Sequence, residues 1–295
     1  MNLVVGATGS VGLEVCRLLR RAGKPVRAFV RRSADEAKTR ELLGLGVELA
    51  FGDLKTPATL DPACRDVVTV LSTASSTLSR QEGDSIESVD LRGHLHLVQA
   101  ARAAGARHLV FVSFARQPLD FPLQTAKRAV ENEIVSSGVS YTILQPVYFM
   151  ETWLGSAMAF DPPKGTARVL GDGNAKVNWV SRDDVARFAA GTVDNVKVQR
   201  KVLALGGPEA LSEREVLRIF REAGGPETRV EYVSERDLEA QMNAAADPLS
   251  RSFGALMLTV ARGQVVDSRA ALDLIPLDLL TVRRFAERSL ASPSQ

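Results

Sequence analysis

Cysteine, aromatic residues and unbalanced charge are all scarce in this chain of 295 residues. With only two cysteines, Cys16 and Cys64, the chain has no disulfide framework, and no C-x-x-C spacing indicates a redox or zinc motif. Lysine and arginine total 37 against 35 acidic residues, so a net charge of +2 excludes the basic field of a nucleic-acid-binding protein. The three histidines have no metal-ligand spacing, so we expect no metal site.

Long hydrophobic runs are also absent from the sequence. Apolar residues make up 45% and charged residues 24%, which is typical of a globular enzyme, and no apolar stretch approaches membrane-spanning length. The first predicted strand begins at the start of the sequence, so we expect no signal peptide. We therefore expect a cytoplasmic α/β protein that has no membrane partner and no nucleic-acid partner.

The first twelve residues contain the clearest motif. An apolar run predicts a buried strand, and Gly6, Gly9 and Gly12 then open a helix at intervals of three. Glycine permits a tight turn and a close backbone approach to a pyrophosphate, whose charge is stabilised at the positive end of the helix. The spacing differs from the commonest G-x-G-x-x-G fingerprint. The motif predicts a dinucleotide site, and the alternative is a glycine-rich turn without a ligand.

Strands and helices alternate after this turn. Further strands are predicted at 25–32, 47–51, 67–72, 108–113, 140–145 and 202–205, with helices at 34–43, 85–104 and 124–137 between them. Strands separated by helices require parallel pairing, so the fold class is a doubly wound parallel Rossmann sheet.

The pattern also suggests two domains. Residues 1–146 plus 181–206 would form the dinucleotide-binding domain, and 147–180 plus 207–295 a smaller, mostly helical C-terminal substrate lobe over the carboxyl ends of the strands. Ser181 with Asp184, and Ser212 with Glu215, have the spacing of a capping box, which predicts helix starts at both places.

The residues at the strand ends indicate which dinucleotide is bound. The second strand ends in Arg31 and Arg32, where two guanidinium groups would suit the 2′-phosphate of NADP; the alternative is a pair of solvated arginines. Asp53 would lie near the adenine, although Asp after Gly is also a common turn or cap. Small residues at 72–75 would pass close to the cofactor or simply form a turn.

These features together resemble the NmrA-like family of the atypical short-chain dehydrogenase/reductase superfamily. The resemblance rests on G-A-T-G-S-V-G at 6–12, the double arginine, Gly52-Asp53, H-L-V-F-V-S-F at 108–114, Lys127, I-L-Q-P at 143–146 and G-D-G-N-A-K-V-N-W-V-S-R-D-D-V-A at 171–186. It covers about the first 205 residues well and the rest loosely. Such members include NADPH-dependent quinone-type reductases, plant phenylpropanoid reductases and non-catalytic sensors of the NADP(H) balance.

The resemblance implies NADP(H) as cofactor and a set of residues that contact it. These are Gly6, Thr8, Gly9, Ser10, Val11, Gly12, Arg31, Arg32, Asp53, Leu54, Ser72, Thr73, Ala74, Ser113, Lys127, Pro146 and Val147.

The catalytic residues depart from the wider superfamily, in which a Tyr precedes a Lys by four residues on the helix after the fifth strand. Lys127 matches that lysine, but Leu123 occupies the tyrosine position and has no proton to give. Ser113 matches the superfamily serine, or caps a turn. Tyr148 is a possible substitute donor, although a core aromatic is the favoured interpretation. Lys127 itself could be a solvated lysine instead of a ribose ligand.

Two functions follow from these residues. The first is an NADPH-dependent reductase of a small apolar acceptor such as a quinone, which can take its protons from solvent. Its pocket wall would comprise Phe114, Tyr148, Phe149, Met150 and Trp153. The second is a non-catalytic NADP(H) redox sensor that acts through a regulatory protein partner. In either case we expect a monomer or a homodimer.

Overall fold

The computed structural model describes residues 1–78 and 81–291, in which ten strands occur. They are β1 (Asn2–Val5), β2 (Val26–Val30), β3 (Glu48–Phe51), β4 (Thr69–Ser72), β5 (His108–Val112), β6 (Ser140–Pro146), β7 (Phe160–Asp161), β8 (Thr166–Leu170), β9 (Lys201–Leu205) and β10 (Arg229–Val233). Seven of them form the central sheet in the order β3-β2-β1-β4-β5-β6-β9, and every pairing is parallel. The predicted doubly wound Rossmann sheet is confirmed.

The helices lie on both faces of this sheet and in the C-terminal part of the chain. They are α1 (Ser10–Arg21), α2 (Glu36–Gly44), α3 (Leu60–Cys64), α4 (His94–Ala103), α5 (Pro122–Ser136), α6 (Met150–Trp153), α7 (Arg182–Gly191), α8 (Glu213–Glu222), α9 (Glu235–Ala244), α10 (Pro248–Arg262), α11 (Arg269–Leu274) and α12 (Val282–Ala291). A π-helix, Ile86–Gly93, runs directly into α4. None of the helices in the described ranges has both the length and the apolar character needed to cross a membrane.

The strand order places a ligand site at a defined edge of the sheet. The chain moves outward from β1 to β2 and β3, then returns to place β4 on the other side of β1. The sheet therefore has its topological switch point between β1 and β4. Open α/β sheets bind ligands outside the carboxyl ends of the strands at such a point, which here is where the glycine turn follows β1.

A second sheet has the order β10-β8-β7 and was not predicted from the sequence. Its strands have five residues or fewer, and β10 is exposed or half-buried along its whole length, so it has no buried apolar run. The sheet pairs β8, from segment 147–180, with β10, from segment 207–295. The predicted lobe is therefore less helical than expected. The division into two domains stays a proposal, and residues 292–295 of the lobe lie outside the described residues.

The two predicted capping boxes have different outcomes. Ser212 Oγ accepts from the Glu215 amide and the Glu215 carboxylate accepts from the Ser212 amide, so this box is confirmed. Ser181 does cap α7, accepting from the Asp183 amide at 3.1 Å, but the predicted box with Asp184 is wrong. The Asp184 carboxylate instead accepts from the Leu280 amide at 2.7 Å, a tertiary contact that local spacing does not reveal.

Candidate functional site

The glycine turn after β1 has a geometry that larger residues would disrupt. Gly6 has φ +83°, and a Cβ there would lie 2.8 Å from the Ala74 nitrogen. A Cβ at Gly12 would lie 2.2 Å from the Gly6 carbonyl oxygen, well inside the closest normal contact. The Gly9 amide donates to that same oxygen at 2.9 Å. Helix α1 thus packs against its own turn because Gly12 has no side chain.

The first turn of α1 is open to an anion. Its N-cap, Gly9, has no side chain to satisfy the first amides, and no acidic residue lies in the first turn. The first amides of an α-helix have no intrahelical partner, so those of Ser10, Val11 and Gly12 are free to donate to a bound oxygen. Together with the helix dipole, this end of a 12-residue helix favours negative charge.

A cleft of about 400 Å³ lies over this turn. Ten of the residues predicted to contact the cofactor line it, as does one of the predicted acceptor-pocket residues. The ten cofactor residues are Gly6, Thr8, Gly9, Ser10, Val11, Arg31, Asp53, Leu54, Thr73 and Ala74. The acceptor-pocket residue is Phe149. The structure therefore brings together residues from four strand ends at the switch point.

The other predicted cofactor residues do not line this cleft. Gly12, Ser72, Ser113, Lys127, Pro146 and Val147 are all buried. Arg32 is exposed, and its guanidinium lies 5.4 Å from the centre of the Phe51 ring rather than in the cleft. Of the two arginines predicted to bind a 2′-phosphate, only Arg31 lines the cleft.

Charged side chains that the sequence did not indicate surround Arg31. Asp84 lies 2.6 Å from Arg31 Nη1 and 2.7 Å from Lys55 Nζ, and its side chain is only 1% exposed. Burial by itself would raise the pKa of this carboxyl, but the two cations hold it below its usual value. Lys38, on α2, also lines the cleft and donates to the Thr8 carbonyl at 2.9 Å. Two cations, Arg31 and Lys38, therefore line this part of the cleft, and the buried Asp84 carboxylate is the counter-charge of Arg31.

Arg182 is a further cleft residue that sequence reasoning missed. It is the first residue of α7, and its Nη1 lies 3.4 Å from the Ser10 hydroxyl at the start of α1. Its Nη2 donates to Thr152, while the Glu151 carboxylate accepts from its amide at 3.1 Å. The guanidinium thus lies beside the open end of α1.

Lys127 lies directly behind the cleft wall. Its side chain is 4% exposed, and its Nζ is 3.1 Å from Oδ1 of Asp90, which is fully buried. The same Nζ donates to the carbonyl of Ala74, a cleft residue, at 3.4 Å and lies 4.9 Å from the centre of the Phe111 ring. Lys127 is therefore a buried, paired cation and not the solvated lysine that was its alternative.

His94 sits beneath this lysine in a neutral form. Burial, reinforced by the nearby Lys127 charge, lowers the pKa of His94 to about 4. Its Nδ1 lies 2.8 Å from the Val89 carbonyl, which can only accept, so we assign the proton to Nδ1. Nε2 then accepts from the Ser72 hydroxyl at 2.9 Å. Within residues 1–78 and 81–291, no group of three acidic, histidine or cysteine side chains could hold a metal ion.

The neutral His94 gives a prediction about acid stability. Because its folded pKa lies below the unfolded value of about 6.5, its contribution is complete above pH 6.5 and is lost as the pH falls toward 4. We expect His94→Gln to reduce the loss of unfolding free energy between pH 6.5 and pH 4.5. Urea denaturation at both pH values measures this difference, and an equal loss in both proteins would contradict it.

Ser113 and Tyr148, the other two predicted catalytic residues, are engaged elsewhere. Ser113 Oγ accepts from Arg128 at 3.2 Å, and the same guanidinium donates to the Phe114 carbonyl. The Tyr148 hydroxyl donates to Gln117 Oε1 at 3.0 Å, and burial raises the pKa of this phenol. Tyr148 thus occupies the core position that was its favoured interpretation.

Most of the predicted acceptor-pocket residues also belong to the core. Met150 and Trp153 are buried, and the Trp153 ring packs edge-on against Tyr148 at 4.8 Å. Phe114 is half-buried and stacks on Phe121. At the position of the absent tyrosine, Leu123 is buried and its amide donates to Ser252 on α10.

A second cleft, of about 760 Å³, borders the first at Asp84. It lies between the starts of the π-helix, α5 and α10, with apolar walls that include Ile86, Phe121 and Leu249. None of the predicted site residues lines it, so no motif in the sequence indicated this cleft.

The switch-point cleft, the glycine turn and the open helix end define an α/β protein of the dinucleotide-binding class. The chain belongs to the NmrA-like family, whose model matches residues 2–265. Among curated relatives it is 33% identical over 252 residues to an NAD(P)H azoreductase of Xenophilus azovorans, covering 85% of this chain and 83% of the relative. It is 29% identical over 233 residues to a photosystem II assembly factor of Synechocystis, covering 78% of this chain and 70% of that protein.

Solved structures share the fold over nearly the whole length. An NADPH-dependent quinone oxidoreductase from Escherichia coli, complexed with NADPH, superposes with a TM-score of 0.79 at 23% identity, covering 98% of this chain and 99% of that one. At this level of identity the likeness establishes the fold.

Proposed function

We propose that this protein binds NADP(H) in the cleft over the glycine turn and reduces a small, flat, apolar acceptor such as a quinone. The observation that carries the proposal is the cradle at Gly12, where a Cβ would lie 2.2 Å from the Gly6 oxygen. Such close packing leaves the first amides of α1 facing the cleft, as a pyrophosphate requires. Two comparisons support the reductase class, namely the NAD(P)H azoreductase relative and the structure of the quinone oxidoreductase.

Residues around the cleft would hold the cofactor in three places. The amides at the start of α1, with Arg182 beside them, would bind the pyrophosphate. Arg31 and Lys38 would bind the 2′-phosphate through charge-assisted hydrogen bonds. Lys127, behind Ala74, would hold the nicotinamide ribose, which remains the role proposed from its position in the sequence.

The nicotinamide ring supplies a hydride when the cofactor is bound. Leu123 offers no proton to the acceptor, and the buried Tyr148 hydroxyl is committed to Gln117. Reduction of a quinone adds the hydride, with its two electrons, and the two oxygens end with one proton each. One proton equivalent must therefore come from solvent, which suits an acceptor that needs no acid from the protein.

A non-catalytic NADP(H) sensor is the second candidate. Leu123 at the tyrosine position favours it, and so does the photosystem II assembly factor among the relatives. In this case the same cleft would bind the cofactor, and its occupancy would be reported to a protein partner.

Turnover by the wild-type protein separates the two functions. We would mix it with NADPH and, in separate assays, benzoquinones, naphthoquinones and azo dyes, and follow the loss of nicotinamide absorbance. The reductase proposal predicts saturable oxidation with at least one class. Tight NADPH binding without turnover of any acceptor would instead support the sensor.

The two arginines at the end of β2 provide a matched pair of variants. We expect Arg31→Ala to weaken NADPH binding by roughly 10- to 100-fold, because a hydrogen bond to a charged group contributes about 1.5–3 kcal/mol. NADH, which has no 2′-phosphate, should lose little affinity. Arg32→Ala should change neither, because Arg32 lies outside the cleft over Phe51. Calorimetric titration measures the affinities of both variants for NADPH and for NADH. Equal losses of NADPH affinity in the two variants would refute the assignment to Arg31.

A further inference from the structure

The Lys127–Asp90 pair is unusual because it is buried immediately behind the cofactor cleft. The two side chains are 4% and 0% exposed, and their charged atoms are 3.1 Å apart. The cost of removing two charges from water can exceed the energy gained from their attraction, so the burial of this pair is weak evidence for a role in stability.

Asp90 is itself held firmly in place. Its Oδ2 accepts from the Ser76 hydroxyl at 2.6 Å and from the Ser76 amide at 3.0 Å. Burial would raise the pKa of this carboxyl, but the Lys127 charge and the two Ser76 hydrogen bonds hold it below its usual value. Asp90 lies in the π-helix Ile86–Gly93, a wide turn that is often found at functional sites. The carboxylate is therefore an anion with a fixed orientation.

Lys127, by contrast, keeps hydrogen-bonding capacity. Its ammonium carries three N–H donors, and among the described residues it donates a long hydrogen bond, of 3.4 Å, to the Ala74 carbonyl. Its contact with Asp90 Oδ1 is electrostatic, since that oxygen has no hydrogen-bond partner within residues 1–78 and 81–291. The lysine is thus neutralised by Asp90 without being saturated by it.

We propose that Asp90 is a positioning residue, which keeps Lys127 charged and fixed behind Ala74 so that the cleft meets the cofactor with a preset cation. This inference rests on the proposed NADP(H) site. Asp90 acts through Lys127 and, by way of Ser76, through the adjoining residues Ala74 and Ser75, which line the cleft.

Among residues 1–78 and 81–291, few other ionisable groups lie close to this pair. On the π-helix and α4 it is His94, which is neutral above its pKa of about 4. The segment after β4 contributes the Ser72 and Ser76 hydroxyls, and β5 contributes the Phe111 ring. Helix α10 packs on α5, where the Ser252 hydroxyl accepts from the amide of Leu123, four residues before Lys127. None of these groups changes charge between pH 7 and 9, so Asp90 and Lys127 decide the local charge there.

Asp90→Asn provides a test with two readouts of opposite sign. Without its anion, the buried Lys127 ammonium is disfavoured relative to the neutral amine. As the pH rises from 7 to 9 the lysine loses its charge, so the NADPH affinity of the variant should fall at least about 10-fold more than that of the wild type. Over the same interval the variant should become more stable, because the unfolded state then binds more protons than the folded state. A 2′-phosphate is already ionised at pH 7 and adds no slope.

Three variants complete the experiment. Asp90→Glu restores the charge and should restore pH-independent affinity. The double variant Asp90→Asn/Lys127→Met has no titrating group and should bind NADPH weakly at both pH values. Glu231→Gln removes a carboxylate from the exposed pair with Arg168 and should behave as the wild type. NADPH fluorescence gives the affinities and thermal unfolding gives the stabilities.

Each result has a definite meaning. A fall in affinity with a rise in stability in Asp90→Asn supports the proposal. A pH-independent affinity in that variant overturns it and leaves only a structural role. If Asp90→Asn does not fold, the ¹³Cε shift of Lys127 in the wild type decides: an ammonium through pH 9 supports the proposal and a neutral amine overturns it. A wild type that binds no NADPH at any pH overturns the proposed function itself.

Discussion

Replacing Gly12 with alanine is expected to abolish measurable NADPH binding, a loss of at least roughly 100-fold in affinity. The new methyl group would lie 2.2 Å from the Gly6 carbonyl oxygen and 2.9 Å from the Thr73 hydroxyl. Backbone on one side and a packed strand end on the other leave no room, so α1 must move away from the turn. An overpacked contact of this kind costs typically 1–3 kcal/mol in stability, and the displaced amides no longer converge on one anion.

Gly44 supplies the matched control for this substitution. It is an exposed residue at the end of α2, and a Cβ there meets nothing within 4 Å. Gly44→Ala should leave NADPH binding unchanged and stabilise the protein slightly. Calorimetric titration of the two variants, with circular dichroism to confirm that Gly12→Ala is folded, measures the difference. Normal affinity in Gly12→Ala would mean that the turn does not form the pyrophosphate site.

Substitution of Lys127 by methionine is expected to reduce turnover by roughly 100-fold, at the lower end of what a positioned acid–base or charged group contributes. NADPH affinity should also fall by roughly 10-fold, because the cation behind Ala74 is lost while the phosphate contacts remain. Stopped-flow and steady-state oxidation of NADPH, with the acceptor that is reduced fastest, measure kcat and the NADPH affinity. An unchanged kcat would exclude Lys127 from the reaction.

The stability of this variant must be separated from its chemistry. Lys127→Met leaves Asp90 buried without its cation, which by itself costs about 3–5 kcal/mol. The double variant Lys127→Met/Asp90→Asn removes both charges and should regain stability without regaining turnover. Lys201→Met, at an exposed lysine on the edge strand β9, tests for any general effect of the substitution. Recovery of turnover in the double variant would show that the single change acted only through stability.

Local sequence signals predicted the framework of this molecule. The seven strands of the central sheet and the glycine turn were found because each depends on a short run of residues with a fixed period or spacing. The pair Arg31–Arg32 shows the limit of such signals. Both arginines were predicted at the 2′-phosphate, but successive residues of an extended chain point to opposite sides, so the two guanidinium groups separate. The structure places Arg31 there.

The charges that complete the site depend on contacts between distant parts of the chain. Asp84 meets Arg31 across 53 residues of sequence, and Asp90 meets Lys127 from a different helix. No spacing rule connects such pairs, because they arise from the way α4, α5 and the segment after β4 pack together. The buried position of Tyr148 follows from the same packing, which places it against Trp153 and Trp179.

Calorimetric titration of the wild-type protein with NADPH and with NADH tests the central claim most directly. A cleft with Arg31 and Lys38 at one end and the glycine turn at its centre predicts one NADPH per chain, bound at least about 10-fold more tightly than NADH. The difference should shrink at high salt, where charge interactions are screened. Equal affinity for the two dinucleotides, or no binding of either, would contradict the account.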